Sequence, residues 1–167
     1  LIEPQPAVFQ RLRNNYACLP NVQLLNAAVD ATSGSREFYS IPPGIEGFPA
    51  WTEQLASFRK EHLIQHEAQA PGLSAHIRMQ LVETICFQDL LDKFAISSID
   101  VLQIDAEGMD AQLLAWFPFE RIRPSVLHYE IAHMSADELN AVRSRLQAYG
   151  YMVRETNSSM DDFAVLI

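Results

Sequence analysis

The sequence predicts an α/β domain of three layers, with helices on both faces of a mostly parallel sheet that finishes in an antiparallel hairpin. Three observations carry this. Strand-like and helix-like stretches alternate through most of the chain. Residues 99–117 run from a short branched apolar strand, Val101–Ile104, through the acidic turn Asp105-Ala106-Glu107-Gly108 into a helical pattern, one half of a βαβ unit. The last two apolar runs, residues 151–155 and 163–167, are joined by a short polar loop, and so short a connection requires an antiparallel pair.

Taken in order, Leu1-Ile2 reads as the tail of a strand closed by Glu3-Pro4. Residues 5–19 read as a helix, with Val8, Phe9, Leu12, Tyr16 and Leu19 as its apolar stripe and Pro6 in its first turn. Pro20-Asn21 breaks it. Residues 22–29 (VQLLNAAV) are the second strand, 30–35 a turn carrying Gly34, and 37–41 a short edge strand. Residues 40–79 are the least regular part. Pro42, Pro43, Gly44, Gly47 and Pro49 punctuate one loop and Pro71-Gly72 another, with 51–66 helical between them through Trp51, Leu55, Phe58 and Leu63. This stretch is expected to be a variable insert or lid within a single domain of residues 1–167. Residues 80–87 return to strand character and 88–94 form a short helix. Beyond the central strand, which its composition predicts to be buried on both faces, Met109, Leu113, Leu114 and Phe117 line a helix that Pro118 ends. Residues 125–131 (SVLHYEI) are another buried-type strand. Residues 136–149 are a helix, with Ser135 and Glu138 as a capping box and Gly150 closing it.

A chain of 167 residues is expected to be one domain and can bury a core without metals or disulfides. Its net charge of −9 argues against attraction to nucleic acid or to an anionic membrane. Cys18 and Cys86 match no metal or redox spacing and fit a reducing, cytoplasmic compartment. No apolar run approaches the ~20 residues that span a bilayer, and no basic-then-apolar leader is visible. Residue 1 is Leu, so the natural start is expected to lie upstream.

Strands end in acids at Glu3, at Asp105 with Glu107, and at Glu130. Strand ends collect solvated polar residues in any protein, but ligands of open α/β sheets also bind beyond these ends. An acid after an early strand suits a ribose diol. Asp105, Glu107 and Glu130 suit acid–base work. A variant in which Asp105 and Glu130 share a divalent cation lacks a third ligand, so no metal is expected. His62 and His66 have the i, i+4 spacing of helical metal pairs, but Leu63 rather than Glu follows His62, and both are expected at the surface. His128 reads as a partnered core or edge histidine, and His133 lies just past the acidic strand end. Phe48, Trp51 and Phe58 read either as a lid or as packing, and the loop 157–162 as solvated.

These segments resemble the FkbM-type methyltransferases, enzymes of the class I, Rossmann-like fold that use S-adenosylmethionine. LIEPQPAVFQRLRNN is similar to the family's acidic strand end, proline and following helix. VQLLNAAV is similar to its third strand and Asn/Ala turn, VETICFQDLL to a strand and helix start, and IDVLQIDAEGMDAQLL to its most distinctive segment. RPSVLHYEI, LQAYGYMV and DDFAVLI resemble its last three strands. Gln103 stands where the family often has Lys, Asp110 where it often has Glu, and Gln88 where it usually has Asp. No glycine-rich loop is formed by the six glycines, so the family's first strand is expected to be missing and the domain N-terminally truncated.

The resemblance implies that Glu3, with Pro4, meets the cofactor's ribose and that Asn26, Ala27 and Ala28 lie beside its adenine. Asp105, Ala106 and Glu107 would sit near the methionine end and the acceptor, with Glu130 facing the same pocket. The implied reaction is methyl transfer from S-adenosylmethionine to a hydroxyl of a small molecule or sugar. Glu107 or Asp105 is the first choice of base and Glu130 the second. The competing expectation is a non-catalytic Rossmann-like binding or assembly module. Oligomerisation is left open.

Overall fold

The computed structural model describes residues 1–155 and 160–167. The chain divides into two compact units, Leu1–Cys86 and Phe87–Ile167.

In the first unit, Pro6 opens helix α1 (Pro6–Tyr16), where its missing N–H costs nothing. Strands β1 (Ala28–Val29), β2 (Gly34–Ser40), β3 (Ala56–Ser57) and β4 (Arg78–Ile85) form one sheet in the order β1-β4-β2-β3. Only β1 and β4 run parallel; β2 is antiparallel to both β4 and β3. The strand expected over 22–29 shrinks to Ala28–Val29 and an isolated parallel bridge between Ile2 and Leu25. The cause lies in Asn26: its side-chain amide donates to the carbonyls of Glu3 (2.7 Å) and Pro4 (3.1 Å), so the chain bends at Ala27 before pairing resumes. β2, expected at the edge, lies inside the sheet.

The helix expected over 51–66 is not formed as one. A 3-10 turn (Ala50–Gln54), β3, a short helix α2 (Lys60–Ile64) and a second 3-10 turn (Gln65–Ala68) replace it. The apolar spacing there serves two clusters rather than one stripe. Leu55 and Leu63 join Ile41, Ala70 and Leu73, while Phe58 packs on Phe38, Ala28, Ala56 and Val82. Pairing of Ser40 with Ala56 and Tyr39 with Ser57 draws Ala56–Ser57 into a strand in the middle of the expected helix, so tertiary pairing overrides the helical spacing. Phe48 packs on the first cluster and Phe58 meets Phe38 edge-on at 5.1 Å, so both are packing residues. His62 and His66 are not simply surface residues: His62 is 7% exposed, and its ring lies 5.4 Å from that of His66, itself 5.6 Å from Trp51.

The second unit contains α3 (Phe87–Lys93), β5 (Val101–Ile104), α4 (Asp110–Trp116), β6 (Val126–Glu130), α5 (Ala136–Ala148), β7 (Tyr151–Glu155) and β8 (Asp161–Leu166). Its sheet has the order β5-β6-β8-β7, with β5 parallel to β6 and β8 antiparallel to both β6 and β7. The terminal hairpin is therefore as expected. Each sheet is nevertheless mixed, with one parallel pair among antiparallel ones, in place of a single mostly parallel sheet.

Burial alternates along these strands as a half-buried sheet requires. Leu127, Tyr129, Ala164 and Tyr151 face the core with Leu113, Leu114, Phe117, Val142 and Leu146 of the helices and their exits. The opposite face carries Val101, Val126, Val165 and Met152 in one cross-strand row. Val101 is 61% exposed at the sheet edge, which corrects the expectation of a strand buried on both faces. The expectation of a solvated loop over 157–162 falls partly on residues outside the described ones. At its described end Asp162 is buried, because Arg143 reaches it from α5.

α5 starts as its capping box predicts. Ser135 Oγ accepts from the Glu138 amide, and the Glu138 carboxylate accepts from the Ser135 amide at 2.9 Å. Ser135→Ala is expected to lower stability by about 1 kcal/mol, read from the urea midpoint. No helix among the described residues is long and apolar enough to cross a membrane.

Candidate functional site

The acids of the second unit gather where β5 and β6 end. Asp105 follows β5 directly, and the chain then turns sharply. The Met109 amide donates to the Ala106 carbonyl at 3.2 Å. The two residues between are both left-handed, Glu107 at φ 48° and Gly108 at φ 87°. Glycine adopts that conformation freely, whereas Glu107 holds it at a steric cost, the kind of local strain that clusters at working sites. The turn delivers Asp110 to the first position of α4, where its Oδ2 accepts from the Ala106 amide at 3.3 Å.

Glu130 closes β6, and His133 follows it by one turn of chain. His133 Nε2 lies 3.8 Å from Glu130 Oε1 and 4.0 Å from Glu107 Oε2, drawing the two acids to one imidazole. Opposite Glu130 in the β6–β8 register stands Asp161, 3.6 Å from His128 Nε2. The His128 ring stacks on Phe163, centroids 4.3 Å apart and 6° from parallel, so it is a partnered histidine, as expected, on an inner strand of the sheet rather than at its edge. Gly108, Asp110, Glu130, His133 and Glu138 line a shallow concavity beside this cluster.

Burial and mutual repulsion disfavour ionisation here. Asp105 is raised above the ordinary carboxylate range by desolvation, then by the charges of Glu107 and Asp161. Burial raises Asp110 to about 6, with Asp105 adding to it. Glu130 is pushed up to about 7, first by burial and then by Asp110, Asp105, Glu107 and Asp161. An acid whose folded pKa exceeds its unfolded one leaves the folded state binding more protons, so stability is full below the unfolded pKa and is lost as pH rises towards the folded one. Between pH ~4.5 and ~7 the chain is expected to lose roughly 3 kcal/mol through Glu130, and Glu130→Gln to flatten that slope in urea titrations at successive pH values.

Thus Asp105, Ala106, Glu107 and Glu130 come together in the second unit. The other expected residues form their own group in the first. The Gln5 amide donates to Glu3 Oε1 at 2.7 Å, and desolvation raises the Glu3 carboxyl. Asn26 spends its amide on the Glu3 and Pro4 carbonyls, which makes it a clamp on Glu3. Ala27 and Ala28 are buried beside it in the chain.

Sequence reasoning passed over Asp110, Glu138 and Asp161 as site residues. Glu138 was legible only as a helix cap. Asp110 carried one usable signal: it is an acid at the start of a helix that follows an acidic turn. The burial that sets it apart is tertiary.

In comparisons with known proteins, residues 1–153 match the family model described as the methyltransferase FkbM domain. No curated protein and no solved structure matches the chain.

Proposed function

Because this chain belongs to the FkbM methyltransferase domain family, we propose that it transfers a methyl group from S-adenosylmethionine to a hydroxyl oxygen of a small molecule or sugar. The observation that carries the reading beyond the family is Glu130, a strand-end carboxylate raised to about 7 beside His133. A base with that pKa accepts a proton near neutral pH without being permanently protonated. The mixed sheet of the second unit, with a parallel pair followed by a reversed strand, supports a Rossmann-like class I arrangement.

The residues present suit the cofactor at one testable point. Glu3 is half-buried, and its Oε1 is taken by the Gln5 amide. Its Oε2 accepts no hydrogen bond among the described residues, with the Arg11 charge acting on the carboxylate, leaving an acceptor for a ribose diol. Asn26 keeps the Glu3–Pro4 backbone in place. When bound, S-adenosylmethionine supplies a methyl group activated on sulfonium. The protein's own share is to hold the acceptor hydroxyl in line and to remove its proton. Glu130 takes that proton, while Asp105 and Glu107 accept hydrogen bonds from neighbouring hydroxyls of the acceptor. A reducing, cytoplasmic setting fits Cys18 and Cys86, both free thiols.

Calorimetric titration with S-adenosylmethionine tests the reading. The unsubstituted protein is expected to bind, and Glu3→Ala to bind about 10- to 100-fold more weakly, the worth of a hydrogen bond to a charged group. No binding by the folded, unsubstituted protein would leave the non-catalytic module as the better description. Undiminished binding by Glu3→Ala would remove Glu3 from the cofactor site.

A further inference from the structure

We propose that Asp110 and Glu130 act as one proton-holding pair, in which Asp110 is a positioning residue that makes proton uptake by Glu130 depend on its own ionisation. The role rests on the reading of Glu130 as the group that takes the acceptor's proton.

Two features of the geometry carry it. Both carboxyls line the same concavity, Asp110 from the start of α4 and Glu130 from the end of β6. Each also has one oxygen that is buried and without a hydrogen-bond partner among the described residues, Oδ1 of Asp110 and Oε2 of Glu130. Two carboxylates left in this condition cannot both carry charge without a large desolvation penalty, whereas one proton on the pair turns an unpaired acceptor into a neutral carboxyl.

Other groups face Glu130 from every side: Asp105 at the end of β5, Glu107 in the turn, Asp161 on β8, His133 after β6 and Glu138 on α5. Asp110 differs from them in burial. It is 2% exposed, so water screens its charge least and Glu130 feels it most. The direction of the shifts agrees, since the Asp110 charge is the largest cause after burial in raising Glu130. Asp110 is raised by burial and by Asp105. That is the pattern of a pair in which Asp110 ionises first and Glu130 then ionises against it.

The consequence is a pH-gated base. At the acid end both carboxyls hold protons and Glu130 is inactive. Once Asp110 has ionised, its charge keeps Glu130 protonated through a further interval. Beyond that interval Glu130 is free to accept the acceptor's proton.

Carbon-13 NMR titration of the side-chain carboxyls tests this without any acceptor or cofactor. In the unsubstituted protein the Glu130 and Asp110 resonances are expected to move in two linked steps. In Asp110→Asn the Glu130 midpoint is expected to fall by roughly half to one pH unit, towards but not reaching the ordinary range, because burial persists. In Glu130→Gln the Asp110 step is expected to stay in place. Independent single-step curves in the unsubstituted protein would overturn the proposal even if Asp110→Asn failed to fold. An unmoved Glu130 midpoint in folded Asp110→Asn would overturn it too. Methyl transfer by the unsubstituted protein that is lost in Glu130→Gln, without these titration effects, would uphold the functional reading and reject the pairing, and linked titration in a protein with no transfer would do the reverse.

Discussion

Arg143→Ala is expected to destabilise the protein by about 3–5 kcal/mol, a large share of a typical domain's stability. Arg143 reaches from α5 to β8, its Nε 2.9 Å and its Nη2 2.8 Å from Asp162 Oδ2. Asp162 is 1% exposed, at the start of the last strand. Removing the guanidinium leaves a buried carboxylate with no counter-charge, which costs far more than the intact pair contributes. Beneath it, burial and the Asp162 charge together push the Tyr129 hydroxyl up, so the tyrosine stays a neutral neighbour. Asp162→Asn, which removes the charge and keeps the shape, is expected to cost less. The double substitution Arg143→Ala with Asp162→Asn should recover part of the single loss, a coupling read from urea midpoints in a double-mutant cycle. A loss under 1 kcal/mol for Arg143→Ala would mean that Asp162 is solvated.

With Glu130 in its proposed role as base, Glu130→Gln is expected to lower the rate of methyl transfer by about 10²–10⁴-fold, the usual worth of a positioned general base. Glutamine keeps the size of the side chain and can still accept a hydrogen bond, but it cannot take up the acceptor's proton. S-adenosylmethionine binding, measured separately, is expected to be unchanged. The unsubstituted enzyme is expected to gain activity as pH rises to about 7 and then level off, following the raised pKa of Glu130. If Glu130→Gln keeps its rate within tenfold, the base is instead Glu107 or Asp105, which the sequence alone ranked first.

The sequence reading was most accurate where local chemistry decides the outcome. The capping box at Ser135 and Glu138, the proline start of α1 and the residue limits of β5 were all legible, because each rests on neighbours within a turn or two of chain. It was least accurate between Trp51 and His66, where Leu55, Leu63 and Phe58 shared a helical spacing while belonging to two different clusters. Periodicity records that a residue is apolar, not which core receives it. At the candidate site the acids themselves were legible as strand ends. The burial of Asp110 and Asp162 was not, because charged residues are almost never fully buried and only α4 and the Arg143 guanidinium, respectively, put them there.

The left-handed backbone at Glu107 sets a narrow alphabet for that position. Glycine fits without cost, asparagine and aspartate with little, and a branched side chain hardly at all. Only aspartate among these keeps a carboxylate, on a stem one methylene shorter. Conformation and chemistry therefore impose separate demands on one residue, and few side chains meet both. A change at 107 that restores charge but not backbone shape, or the reverse, would answer only half of what the turn requires.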